Sequence, residues 1–187
     1  AMNYFIAKGF SKEQAAGIVG NFLRESGMNP TKINEVEKEK GYKGYGRGIA
    51  QWSNDRIKQF KVWHQQKYGD PLSPEEAPLE HQLEYAYLEM QSRPAFMNAI
   101  MNTDNPIEAG DFVLRGFENG GSNAMASVAD MNRVYGAAAT KNTYESLMKK
   151  SSEGVLAALD IFDKSTGAKE ATALEKIENS IGTALNK

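Results

Sequence analysis

The chain has no cysteine among its 187 residues. Disulfide frameworks, cysteine-ligated zinc and thiol catalysis are excluded with it. Histidine is nearly as scarce. His64 and His81 are too few for a histidine-rich metal site, and no metal or organic cofactor is expected. Both sit in segments rich in Gln, Glu and Lys and read as surface or half-buried helix residues rather than bases. Neither sign of charge dominates: 22 Lys and Arg stand against 24 Asp and Glu, a formal net charge of -2. That balance offers no electrostatic case for nucleic acid or an anionic membrane surface. No apolar run is long enough to span a membrane. The opening residues also lack the charged-then-apolar pattern of a secretion signal, so delivery by some other route is expected.

Val- and Ile-rich alternating runs are nearly absent too, which excludes a sheet-based fold and points to an all-α one. The length suits one domain with a sizeable core plus an extension, or at most two small domains. Ser11 and Gln14 form a capping-box pattern at the start of the first clear helix. Ala15, Ile18, Val19, Phe22 and Leu23 follow as one apolar stripe. Gly27 stands where a C-terminal cap is wanted, and Pro30 prevents continuation. From Asn34 to Arg47 the pattern breaks down into a charged, then Gly- and Tyr-rich stretch, which predicts a long loop or small irregular hairpin.

Ser53 is placed to cap a helix running to about Gln66. Another spans about Leu79 to Gln91, with Leu79, Leu83, Ala86, Tyr87 and Met90 inward. Pro94 opens a short helix, and Asn105-Pro106 opens one that runs through Phe117 to the loop Glu118-Asn119-Gly120-Gly121. A further helix is expected over roughly Ala124 to Ala139. Leu174, Ile177, Ile181 and Leu185 form a thin amphipathic stripe near the end. The expected organisation is a domain over residues 1–148 and a helical extension over 149–187, docked on the domain or on a partner chain.

Glu25 lies in the last turn of the Ser11 helix, beside Ile18 and Phe22 at the edge of the apolar stripe. Partial burial and the negative end of the helix dipole both favour a protonated carboxyl there, as a general acid requires. A plain surface glutamate is the alternative that periodicity leaves open.

Motifs around Glu25 narrow the choice. Gly20-Asn21-Phe22-Leu23-Arg24-Glu25-Ser26-Gly27-Met28-Asn29-Pro30 resembles the catalytic-helix motif of the lysozyme and lytic-transglycosylase superfamily, in which a Glu-Ser pair closes a helix before an Asn-Pro turn. Gly46-Arg47-Gly48-Ile49-Ala50-Gln51-Trp52 resembles the Gly-Leu-Met-Gln motif of the same cleft. With Ala15-Ala16-Gly17-Ile18-Val19-Gly20-Asn21 ahead of them, the whole resembles the phage tail lysozyme family. Phe112 to Asn119 is similar to that family's Phe-Glu segment, although Gly120 replaces the proline often found after Glu-Asn. The resemblance covers roughly residues 3 to 140. It implies a lysozyme-like helical domain that cleaves the β-1,4 bond between N-acetylmuramic acid and N-acetylglucosamine in peptidoglycan.

Carried over by position, Glu25 becomes the acid that protonates the scissile oxygen, and Gln51 a substrate-binding or acid-orienting amide. Trp52 is a candidate sugar-stacking wall or a core residue, and Tyr45 a sugar contact or a loop anchor. Glu118 and Asn119 either line the far wall of the cleft or supply ordinary helix-end polarity. A second carboxylate is left open among Glu35, Glu37, Glu39 and Asp55, or is absent. In the last case the reaction resembles that of lytic transglycosylases, where the sugar's own hydroxyl attacks and an anhydro product forms. The setting implied is a phage tail or a related lysis apparatus, with peptidoglycan as partner. Rival readings are a non-catalytic wall-binding module and a structural tail piece assembling through its C-terminal helix.

Overall fold

The computed structural model describes residues 1–118 and 137–166. Among them are eight α-helices and no strand: α1 Met2–Ala7, α2 Lys12–Ser26, α3 Glu35–Glu39, α4 Asn54–Tyr68, α5 Leu79–Gln91, α6 Pro94–Met101, α7 Pro106–Val113 and α8 Ala137–Thr166. The fold is all-α, as the missing alternation predicts. None of these helices is long and apolar enough to cross a membrane. Residues divide into two compact units. One joins Ala1–Asn21 to the described chain from Arg93 onward, and the other is Phe22–Ser92.

The first unit is built by close helix crossings. The capping box forms at the start of α2: the Ser11 N–H donates to Gln14 Oε1 at 2.9 Å, and the Gln14 N–H to Ser11 Oγ at 3.1 Å. Gln14 Nε2 goes on to bond the carbonyls of Met101 and Thr103. Gly17 and Gly20 leave room for neighbouring backbone. A Cβ on Gly17 would lie 2.6 Å from the backbone nitrogen of Gly110, and one on Gly20 would lie 2.5 Å from that of Val155. Asn21, fully buried, donates from Nδ2 to the carbonyls of Gly17 and Gly110. Phe5, Ile18, Phe96, Ile107, Val113 and Val155 fill the surrounding core.

Beyond Val113 the expected continuous helix widens into a π turn, Leu114–Glu118. Arg93 supports this wider turn by donating to the carbonyls of Gly116 at 2.5 Å and Phe117 at 3.1 Å. Such turns leave carbonyls off the ordinary ladder, and a side-chain donor is one way to satisfy them. The boundary expected between residues 148 and 149 falls inside α8, whose Val155, Ala158 and Leu159 are buried. The stripe Leu174 to Leu185 and most of the helix expected over 124–139 lie outside the described residues.

The second unit packs α4 and α5 around aromatic rings. Trp52, Phe60 and Tyr85 lie within 4.8–5.8 Å of one another by ring centroid, at tilted or edge-on angles. Two expectations shift here. On α5 the buried set is Gln82, Leu83, Tyr85, Ala86 and Met90. Gln82 and Tyr85 thus join the buried set while Leu79 and Tyr87 are half-buried, and Gln82 is there with backbone partners to satisfy. Ser53 stands at the N-cap position of α4, but its side chain makes no capping bond.

His64 is buried, with Nδ1 2.8 Å from the carbonyl and carboxylate oxygens of Asp70 and Nε2 3.0 Å from His81 Nδ1. His81 stacks on Tyr68 at 3.7 Å between ring centroids. Burial, then the neighbouring His64, pushes the His81 imidazole below its ordinary range.

Candidate active site

Glu25 is delivered by the last turn of α2. The helix stops there because Gly27 takes φ +65° and its N–H bonds the Leu23 carbonyl at 2.8 Å. Ser26, buried behind the glutamate, places Oγ 2.9 Å from the carbonyls of both Phe22 and Ile49. It therefore ties the end of α2 to the Gly48–Gln51 loop. Glu25 itself is half-buried, and Oε1 is held by the guanidinium of Arg24. Oε2 has no hydrogen-bond partner among the described residues.

The segment expected as a loop contains α3. Asn34 caps it, with Oδ1 accepting from the Glu37 N–H at 3.2 Å. Isolated antiparallel bridges pair Ile33 with Arg47 and Arg47 with Trp52, so the hairpin expectation holds in reduced form. Glu37 Oε2 accepts the Gly46 N–H at 3.0 Å, and the Asn34 N–H donates back to the Gly46 carbonyl at 2.8 Å. Gly48 adopts φ +70° and donates its N–H to the Lys32 carbonyl at 2.7 Å.

Gln51 takes φ +46°, a left-handed conformation uncommon for a residue with a side chain. Its Nε2 donates to the Gly48 carbonyl at 2.9 Å, leaving Oε1 as an acceptor. Gly46 permits this fold-over, since a Cβ there would sit 2.8 Å from Gln51 Oε1.

These pieces enclose a cleft of about 440 Å³ lined by Glu25, Lys32, Ile33, Asn34, Glu35, Val36, Glu37, Gly46, Gln51 and Ser53. Glu25 and Gln51 thus share one cavity, as do two of the four candidate second carboxylates. Glu39 and Asp55 do not line it. Asp55 is fully exposed and bonded to Lys58 at 2.7 Å, and that bond holds its carboxyl below the usual range.

Trp52 is corrected to a core residue. Its side chain is fully buried, and Nε1 donates to Glu89 Oε2 at 2.9 Å, so no ring face is open to a sugar. Glu89 also takes two bonds from Arg56, at 2.7 and 2.9 Å. Tyr45 is half-buried and lies off the cleft lining, with the Arg47 guanidinium over its ring at 4.4 Å. Arg47 in turn pairs with Glu75 at 2.6 Å. That stack is the anchoring arrangement of the two considered for Tyr45. Asn119 and the side chain of Glu118 lie outside the described residues.

Sequence reasoning missed the residue that holds the loop. Gln82, fully buried, accepts the Ile49 N–H at 2.9 Å and places Nε2 within 2.6–3.0 Å of the carbonyls of Pro30, Pro74 and Ala77. One amide therefore joins three segments behind the cleft. A Gln inside the apolar stripe of a helix was its signal. Lys32 and Ser53 were missed as cleft residues, and no local pattern marked them. Among the described residues, no group of three His, Asp or Glu is arranged to hold a metal ion.

An all-α fold in which Glu25 closes a helix on the wall of a polar cleft is consistent with a lysozyme-like domain. The model of the phage tail lysozyme family matches residues 1–147, and the chain belongs to that family. Membership points to a lysozyme-like role on peptidoglycan. No curated protein and no solved structure matches the chain.

Proposed function

We propose that the chain cleaves the β-1,4 bond between N-acetylmuramic acid and N-acetylglucosamine, with Glu25 as general acid, as part of a phage tail that must open the wall locally. The observation that carries this reading is the placement of Glu25, Gln51, Glu35 and Glu37 on one cleft. Arg24 occupies Oε1 of Glu25, leaving Oε2 to carry the proton given to the bridging oxygen. As that proton transfers, the bond from the anomeric carbon to the bridging oxygen breaks and positive charge develops on the sugar ring. Gln51 Oε1 accepts from a sugar hydroxyl or acetamido N–H.

Glu37 is the better second carboxylate. It is half-buried and fixed by the Gly46 N–H, whereas Glu35 is exposed and pairs with Lys38. A carboxylate so held stabilises the developing cation and takes the proton of the water that adds to the anomeric carbon. Tyr45 acts at most through its loop. Glu118 and Asn119 have no part in this reading.

A lytic transglycosylase is the second reading, favoured by one observation: the two other carboxylates on the cleft lining, Glu35 and Glu37, already have partners. Digestion of purified peptidoglycan by the native protein and Glu25→Gln, followed by product masses, separates the cases. Reducing ends from the native form alone mark a hydrolase, and ends lighter by one water mark a transglycosylase. Fragments from neither protein, with binding retained, would leave a wall-binding or structural tail module.

A further inference from the structure

Three carboxylates and one ammonium line the cleft, and the ammonium is the uncommitted charge. Glu25 is held by Arg24, Glu35 pairs with Lys38 at 3.6 Å, and Glu37 accepts the Gly46 N–H at 3.0 Å. Lys32, the only cation on the lining, has no ion-pair partner among the described residues. It is therefore not the counter-charge for the acids around it. Its backbone is nonetheless fixed, the N–H donating to the Asn29 carbonyl at 3.2 Å and the carbonyl accepting the Gly48 N–H at 2.7 Å. A rigid base thus holds an exposed, unpaired ammonium at the cavity where Glu25 stands.

A sugar backbone of N-acetylated hexoses is neutral and gives such a group nothing to pair with. What distinguishes the muramyl unit is its lactyl arm, which carries a peptide bearing carboxylates. We infer that Lys32 is a specificity-determining residue that binds a carboxylate of the peptide arm on the glycan held in the Glu25 cleft. The inference rests on the proposed reading of that cleft as a glycan-cleaving site. An ammonium is a compact point charge on a flexible stem, suited to a carboxylate whose position varies along a mobile peptide. The same contact gives an acidic protein one local point of attraction for an anionic polymer.

The test uses soluble glycan fragments with intact peptide arms, in two forms: carboxylates free, and carboxylates converted to primary amides. Steady-state kinetics are measured on both for the native protein, Lys32→Gln and Lys32→Arg, with thermal melts to confirm folding. The native protein is expected to favour the free-carboxylate form by about threefold to fivefold in kcat/KM, the size of a partly exposed ion pair. Lys32→Gln should erase that preference through KM while kcat stays put, and Lys32→Arg should keep it. A Lys32→Gln protein that retains the native preference, or that loses rate equally on both substrates, overturns the inference. If the native protein cleaves neither form, the cleavage reading fails. Calorimetric binding of the same two fragments then decides the role of Lys32 by the same comparison.

Discussion

The unit that begins at Ala1 and the unit Phe22–Ser92 are held together by different means. In the first, helices approach until backbone meets backbone, and Gly17, Gly20 and Gly154 are the places where a side chain would not fit. In the second, buried polar groups carry the construction: Gln82, Ser26, Glu89 and His64 each join separate stretches of chain. The first arrangement depends on volume and the second on matched donors and acceptors. Volume errors cost stability. A lost donor near the cleft also misplaces the loop that carries Gln51.

The sharpest way to separate chemistry from construction is Glu25→Gln. Peptidoglycan cleavage should fall by about 10²–10⁴-fold, the usual worth of a general acid, while the melting temperature stays within experimental error. A variant with unchanged product yield would remove Glu25 from the mechanism. Gln82→Leu comes next and should strike both properties. It strands the Ile49 N–H and takes a donor from the carbonyls of Pro30, Pro74 and Ala77, so denaturant unfolding should show a loss of about 2–3 kcal/mol, with activity per folded molecule also reduced. Activity that survived intact in the folded fraction would mean the loop does not need this amide.

Gly17→Ala is the matching probe of the other unit. Its Cβ would lie 2.6 Å from the Cβ of Ala109, so it should cost about 1–3 kcal/mol by overpacking, with cleavage per folded molecule unchanged. A loss of cleavage without a loss of stability would erase the distinction between the units.

The smallest effect expected is one of pH. Folding holds His81 below its ordinary value, so the unfolded chain takes up the proton first. The stability contributed by neutral His81 is present above about pH 6.5 and is lost as the pH falls from there toward the folded-state value. His64 faces this ring directly, with Glu80, Glu84 and Asp70 supplying the opposing negative charge. Melting curves taken across that window should slope less for His81→Gln than for the native protein. Equal slopes would show that His81 does not change protonation during unfolding.

Periodicity made α2 legible because apolar stripes and glycines report volume directly. The Ser11–Gln14 box, the Ala15–Leu23 stripe and the Gly27 stop are all visible in residue order. Motif resemblance brought Glu25 and Gln51 to the same cleft. It left Trp52 open between sugar wall and core because an aromatic beside a motif glutamine reads alike whether its ring faces solvent or core. Partners such as Gln82 and Ile49, 33 positions apart, leave no local pattern. Helix α3 escaped for a related reason: nothing in it is buried, so it writes no stripe.

That last feature bears on how such a protein can change. Through Glu35, Val36 and Glu37, α3 adds a wall to the cleft without adding to the core, and it is moored by Asn34 and by Glu37 to Gly46. Substitutions at Glu35, Val36, Lys38 and Glu39 are therefore nearly free of folding cost. This short rim can vary in charge and shape while the scaffold that ends α2 just after Glu25 stays as it is.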